Sequence, residues 1–98
     1  MHRHTVLFNL KDEFSAAEKI GALEALRSLK SIAVCQGLMV EKNKLPAGPT
    51  APYEYILIAD FANDADRETY EKDPHHVKVI RETFLPMAKN YIIADVNV

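Results

Sequence analysis

Cysteine, glycine and long apolar runs are all scarce in this 98-residue sequence, and each shortage excludes a class of protein. The single cysteine, Cys35, cannot form an internal disulfide, so the chain fits a reducing compartment and we expect it in the cytoplasm. The three glycines, Gly21, Gly37 and Gly48, are scattered and cannot build a loop that cradles phosphates. No apolar run approaches the ~20 residues that span a membrane, and the sequence turns polar after Leu10, which predicts no signal peptide.

An excess of one charge is absent as well. Lysine and arginine total 12 against 14 aspartates and glutamates, so the net charge is −2, with the two signs interspersed. Without a basic patch, we expect no nucleic-acid partner. The length is that of one small domain, residues 1–98, and the apolar fraction of 48% is ordinary for a globular protein. Cys35 stands in the apolar run IAVCQGLMV and is predicted to be a small buried residue rather than a reactive thiol.

Local patterns predict four strands and two helical regions. Ser15 and Glu18 form a capping box that begins the first helix. The second helical region has two parts: a short polar helix capped by Asn63 or Asp64, and a second piece that begins at Asp73 and runs to about residue 87. The proline-rich stretch 43–52 is predicted to be a loop. The predicted strands are residues 4–10, 34–42, 53–61 and 90–98, and the apolar stripe of the first helix is Ala16, Ile20, Leu23, Leu26 and Leu29.

The resulting β-α-β-β-α-β order is typical of the ferredoxin-like α+β sandwich, in which helices cover one face of an antiparallel sheet. In such a sheet, apolar and polar residues should alternate. Residues 55–59 and 91–94 are instead apolar without a break, although one helix layer covers only one face. We therefore predict a homodimer in which a second copy covers the other face. The alternative is that these residues reflect β-propensity and that one face stays wet.

Two adjacent histidines follow an Asp-Pro pair in the stretch YEKDPHHVKVI, residues 70–80. Asp73 suits the N-cap of a helix and Pro74 its first position. If Val77 lies on the buried side of this helix, the 100° turn per residue places His76 toward the core and His75 toward solvent. Burial and the positive end of the helix dipole both favour a neutral His76 that accepts a proton. The alternative is a half-buried histidine that only binds the backbone. The rest of that buried side is predicted to be Ile80, Phe84 and Met87.

Tyr70 and the amino-terminal histidines complete the candidate site. Tyr70 is the only large ring between residues 62 and 73, so it is predicted to point inward. His4 shares a strand face with Val6 and Phe8, the face expected beneath the helices. His2, Tyr70 and the helix could then close a pocket with His4 at its mouth. His2 and His4 could also bind a metal side by side, but no third ligand accompanies them, so we predict neither metal nor cofactor.

The same residues carry a resemblance to a known family. The stretch HTVLFNLKDE, residues 4–13, resembles the opening of the stress-responsive A/B barrel (Dabb) domain, in which a histidine leads a strand that ends in Lys-Asp. YEKDPHH resembles that family's Y…hPxH element, with Tyr70, Pro74 and His76 in register. The closing YIIADV strand also fits, so the similarity covers essentially the whole chain. One departure is a glycine common near the end of strand two, which is replaced around Glu41.

The resemblance implies a dimeric α/β barrel with its helices outside. It also implies binding of a small aromatic or polyketide-like molecule, with cyclase or lyase activity as one option. In that case His76 would abstract a proton alpha to a carbonyl, Tyr70 would donate to the enolate oxygen, and His4 would orient the substrate. Two alternatives stay open. One is a non-enzymatic stress-response or assembly module in which these side chains finish the core, and the other is a cofactor-free monooxygenase of the related barrel families.

Overall fold

The computed structural model describes residues 1–98 and has the predicted order of elements. None of its helices has the length and apolar character that crossing a membrane requires. The strands are β1 (His2–Leu10), β2 (Gly37–Lys42), β3 (Tyr55–Phe61) and β4 (Ala88–Asn97). The helices are α1 (Ala16–Arg27), α2 (Asp64–Lys72), α3 (Pro74–Val79) and α4 (Leu85–Met87), with a 3₁₀ turn at Ser28–Ser31 and a π-helical turn at Ile80–Phe84.

The four strands form one antiparallel sheet in the order β2-β3-β1-β4, which confirms the ferredoxin-like α+β fold. In the register, Val6 lies opposite Leu57 of β3 and Ile93 of β4. Glu41 pairs with Ile56 without a shift, so replacing the family's glycine there leaves β2 regular. The irregularity lies instead in the β1–β4 pairing, between Asn9 and residue 10.

The even-numbered residues of β1 face the helices, because strand side chains alternate between faces. His4, Val6 and Phe8 are all buried there. From the helix layer, Leu26 and Leu29 pack onto this surface as part of the core. The helix layer therefore covers the β1 face that carries His4, as the sequence predicted.

Helix α1 begins as predicted and buries part of the predicted apolar stripe. The Ser15 hydroxyl accepts from the Glu18 N–H at 3.1 Å, and the Glu18 carboxylate accepts from the Ser15 N–H at 2.8 Å, which confirms the capping box. Leu26 and Leu29 are buried and Leu23 packs against the core, as predicted. Ala16 is exposed and Ile20 is 57% exposed, whereas Ala22, which was not predicted, is buried. The prediction for Ile20 was wrong because this residue lies roughly 120° around the helix from Leu26.

The second helical region begins at the predicted caps. Asn63 caps α2, and the Asp73 carboxylate accepts from the His75 N–H at 2.8 Å to cap α3. Val77, predicted to be buried, is 36% exposed, and Val79 is buried instead. The predicted periodicity fails because the helix widens at Ile80–Phe84 into a π-helical turn.

The π-helical turn ends two residues before Pro86. Within it, the Leu85 N–H donates to the carbonyl of Ile80, five residues back, rather than to the residue four back. Proline has no N–H, and its ring clashes with the carbonyl four residues earlier in an α-helix. A wider turn relieves that clash, and π-helical turns are frequent at functional sites.

Cys35 lies outside the strand in which it was predicted. Strand β2 begins at Gly37, and Cys35 belongs to the turn before it, half-buried rather than fully buried. Its thiol donates a weak hydrogen bond to the Gly37 carbonyl at 3.4 Å. Burial raises the pKa of Cys35, so this thiol stays protonated at neutral pH.

The face of the sheet turned away from the helices is apolar and has no cover in the single chain. An ion pair lies at one end of this face, where Arg3 Nε is 2.9 Å from Asp60 Oδ1. Exposed fractions on this face reach 47% at Ile92 and 56% at Val96. We call it the outer face and define it by Leu7, Met39, Ile56, Ile58, Ile92 and Val96, which the strand registers place on the same side.

Candidate active site

A cavity of about 40 Å³ lies between the sheet and the helices, and all three predicted site residues line it. Eight of its ten lining residues are hydrophobic, and the other two are His4 and His76. Tyr70 supplies the phenol ring. Ile80 and Phe84, the two ends of the π-helical turn, complete the helix side. This inner cavity therefore brings together the histidines and the tyrosine that the sequence proposed, while their roles stay a prediction.

His76 is half-buried, and its orientation is fixed by the backbone. Its Nδ1 lies 3.0 Å from the carbonyl oxygen of Glu71. A carbonyl only accepts, so Nδ1 carries the proton and Nε2 of the neutral ring keeps its lone pair. Burial lowers the pKa of His76 and outweighs the opposing effect of that hydrogen bond. The ring is therefore neutral at pH 7, with Nε2 able to accept a proton.

Tyr70 is 1% exposed and lies between two other rings. Its ring centroid is 4.8 Å from that of Phe61 and 4.5 Å from that of His76. Burial raises the pKa of Tyr70 well above its ordinary value, so the hydroxyl keeps its proton. No hydrogen bond within the chain engages that hydroxyl, and the structure contains no fully buried side-chain oxygen or nitrogen without a partner, so the hydroxyl oxygen is not fully enclosed. The phenol is therefore free to donate to a molecule in the inner cavity.

His4 lies inside the inner cavity, not at its mouth as predicted. It is 6% exposed, because the helix layer covers this part of β1. The register places Asp95 of β4 directly opposite, and the His4 Nδ1–H donates to Asp95 Oδ1 at 2.8 Å. Burial lowers the pKa of His4, although the Asp95 carboxylate opposes this. The neutral ring thus keeps its Nε2 lone pair, as His76 does.

His2 does not line the inner cavity but contacts Asp95, the carboxylate that binds His4. Its Nε2 is 2.6 Å from Asp95 Oδ2, and its Nδ1 is 2.8 Å from Asp64 Oδ1. The hydrogen bonds to Asp95 and then Asp64 raise the pKa of His2, which favours the imidazolium. Burial opposes ionisation of Asp95, but the hydrogen bonds from His2 and His4 outweigh it and lower the pKa of Asp95. One carboxylate therefore holds both histidines.

The two histidines that could have shared a metal are engaged by Asp95 instead. No group of three or more histidine, cysteine, aspartate or glutamate side chains is arranged to hold a metal ion. Asp95, Asp64 and Arg67 were not among the predicted site residues. The Arg67 Nε lies 3.7 Å from Asp95 Oδ2. A single carboxylate in the otherwise apolar strand YIIADV was the signal that could have pointed to Asp95.

His75 is not free in solvent, contrary to the prediction. It is half-buried, and its Nε2 lies 2.8 Å from the Ser28 hydroxyl oxygen, just beyond the end of α1. Ser28 donates its own proton to the Ala25 carbonyl, so the serine oxygen accepts from His75. This residue ties α3 to the end of α1 and does not reach the inner cavity.

Comparison with known proteins settles the family. The model of the Stress Responsive A/B Barrel Domain family (Dabb) matches residues 3–98. The chain belongs to this family. No curated protein matches the sequence of this Dabb domain.

Solved structures share the fold of this Dabb domain at low identity. A dabb family protein with a ferredoxin-like fold from Mesorhizobium loti is 24% identical with a TM-score of 0.87, covering 99% of this chain and 95% of its own. A dimeric ferredoxin-like protein of unknown function from Thermobifida fusca is 18% identical, with a TM-score of 0.84 and coverage of 99% and 90%. Hydroxynitrile lyase from Passiflora edulis is 17% identical, with a TM-score of 0.88 and coverage of 99% and 92%.

Proposed function

We propose that this single Dabb domain binds a small carbonyl compound and removes a proton alpha to the carbonyl, as a lyase or cyclase does. The observation that carries the proposal is the convergence of His4, Tyr70 and His76 on one otherwise apolar cavity. An apolar cavity with a few convergent polar groups and perturbed pKa values is the usual form of a ligand site.

The proposed roles follow from the protonation states. His76 Nε2 accepts the alpha proton, because Nδ1 is occupied by the Glu71 carbonyl. The Tyr70 hydroxyl, which stays protonated, donates to the oxygen that becomes negative as the enolate forms. His4 Nε2 accepts from a hydroxyl of the substrate and so orients it. The apolar remainder of the wall excludes water, which strengthens each of these contacts.

The size of the inner cavity limits what enters it. Drug-sized ligands occupy pockets of roughly 300–1,000 Å³, whereas the inner cavity holds about 40 Å³. A group of a few non-hydrogen atoms fits, but a whole aromatic or polyketide-like molecule exceeds this volume. Of such a molecule, the carbonyl end alone would occupy the inner cavity.

We also propose that two copies pair through the outer face, in the cytoplasm. The outer face carries apolar side chains from all four strands with no cover in the single chain, and monomers rarely expose such a patch. The Thermobifida fusca relative is described as dimeric. No residue of the loop 43–52 lines the inner cavity, which disfavours a lid. Asn9, whose side chain lies on the outer side of β1, donates to the Pro52 carbonyl at 2.9 Å, so the loop is anchored on the side where the second copy would pack.

The catalytic proposal is tested by isotope exchange with a compound small enough for the inner cavity. Hydroxyacetone is incubated with the protein in D₂O, and loss of its alpha protons is followed by proton NMR. We expect exchange faster than in buffer, with about a 10²–10⁴-fold loss in His76→Ala because the general base is gone. Lys78→Ala is the control and should keep the wild-type rate, because Lys78 is exposed on the same helix and does not line the inner cavity. Equal rates for the wild type and His76→Ala would favour the non-enzymatic alternative.

A further inference from the structure

A second recess lies against the outside of the same wall. It has a volume of about 270 Å³ and is lined by Glu71, His76, Val77, Ile80, Arg81 and Leu85. We call it the outer cleft. His76 and Ile80 line both the outer cleft and the inner cavity, so the two spaces adjoin at these two side chains. A molecule too large for the inner cavity thus has a place for its remainder directly beside the proposed base.

The surface of the outer cleft combines apolar side chains with one uncompensated charge. Val77 is 36% exposed and Leu85 51% exposed, so both offer apolar area to a ligand. The Glu71 carboxylate is engaged by Arg67 Nη1 in an i,i+4 ion pair. Arg81 has no carboxylate within ion-pair distance. The free positive charge of the outer cleft therefore belongs to Arg81.

We propose that the substrate carries an anionic group that binds Arg81 in the outer cleft while its carbonyl end reaches His76. The inference rests on the proposed function and adds to it a substrate class, namely carbonyl compounds with a carboxylate on the distal side. A guanidinium recognises a carboxylate through two parallel hydrogen bonds, which fixes orientation as well as adding affinity. Arg81 is then the residue that determines specificity.

The test uses two probes that differ in charge alone. These are 4-acetylbenzoate and 4-acetylbenzamide, each with an acetyl group of a size that suits the inner cavity. Dissociation constants are measured by NMR titration for the wild type, Arg81→Gln and Lys78→Gln. Lys78 is the matched control because it is an exposed cation of α3 that does not line the outer cleft. We expect the wild type to prefer the benzoate by about 3–10-fold, and this preference to vanish in Arg81→Gln only.

The outcomes separate the two proposals. If both probes bind the wild type equally, or if Lys78→Gln loses the preference as much as Arg81→Gln does, the inference is wrong and the proposed function stands. If neither probe binds and hydroxyacetone exchange is also absent, the proposed function fails and the inference fails with it. If neither probe binds while exchange is present, the inference alone is overturned. Reversal of the preference would likewise exclude an anion at Arg81.

Discussion

His76 Nδ1 lies 3.0 Å from the backbone carbonyl oxygen of Glu71, and this contact assigns the proton to Nδ1. Glu71 directly follows Tyr70 in α2, so the last turns of one helix hold both groups of the proposed proton transfer. Tyr70 is fixed there by its buried ring, and His76 by the carbonyl of the next residue. The motif spacing of Tyr70 and His76 thus has a physical reason: the break at Asp73 lets α3 bring the imidazole back onto the end of α2.

Removing only the hydroxyl of Tyr70 should separate its chemistry from its packing. Because no hydrogen bond within the chain engages that hydroxyl, we expect Tyr70→Phe to change the free energy of unfolding by less than about 1 kcal/mol. Tyr70→Ala removes a ring buried against Phe61 and should cost about 3–5 kcal/mol. Urea denaturation measures both. A large loss of stability in Tyr70→Phe would show that the hydroxyl is a structural group rather than a free donor.

Asp95 and Asp64 should have separable effects on the two amino-terminal histidines. In Asp95→Asn, the negative charge that opposes the effect of burial on His4 is removed, so the pKa values of His4 and His2 should both fall. Asp64→Asn, the matched control, should lower only the pKa of His2, since Asp64 contacts His2 alone. Histidine proton resonances followed against pH give these values. An unchanged pKa of His4 in Asp95→Asn would exclude the proposed support of His4.

The histidines should give stability a maximum near neutral pH. His4 and His76 have pKa values lowered by burial, so the unfolded chain binds more protons, and stability falls as pH drops below about 6.5 through their folded pKa values. His2 has a raised pKa, so its contribution is fully present below about 6.5 and is lost as pH rises through the folded value.

Urea unfolding across pH 5–9 measures these slopes, and two substitutions assign them. His2→Gln should remove the decline of the free energy of unfolding at alkaline pH, whereas His76→Gln should reduce its decline at acid pH. A wild-type curve that rose steadily from pH 6.5 to 8 would contradict the ion pairs that we assign to His2.

A charge in the centre of the outer face should break the proposed dimer. Ile58 pairs with Met39 and Thr5 in the middle of the sheet, so Ile58→Glu would bury an unpaired carboxylate between two copies. We expect sedimentation to give the mass of two chains for the wild type and one for this variant at micromolar concentration. Ile20→Glu is the control, because Ile20 is 57% exposed on α1. A wild type that sediments as one chain would refute pairing through the outer face.

The fold could be predicted from the sequence because its local signals agree. Ser15 and Glu18, Asn63, and Asp73 all cap the helices they were expected to cap. Errors occur where a distant residue overrides a local pattern. Val77 and Val79 exchange burial because Pro86, seven or more residues further along the chain, forces the helix to widen at Ile80–Phe84, and no 3.6-residue period describes such a turn.

The site could be predicted only in part, because some of its contacts are local and others join distant parts of the chain. Tyr70 and His76 lie six residues apart on either side of the break at Asp73, so this short stretch of chain brings them together by itself. His4 and Asp95 are brought together by the pairing of the first and last strands, and a shift of one residue in register would turn Asp95 to the other face. Nothing in the sequence fixes that register, so the carboxylate that supports His4 and His2 emerged only from the structure.

The proposed base is tested most directly by the tautomer of His76. Protein labelled with ¹⁵N-histidine, with His76→Gln for assignment, reports which ring nitrogen carries the proton. At pH 7 we predict a neutral His76 with the proton on Nδ1 and an unprotonated Nε2. The Nε2 resonance should shift when hydroxyacetone is added. A proton on Nε2, or a ring that is still an imidazolium at pH 7, would leave no lone pair on Nε2 and would contradict the proposal.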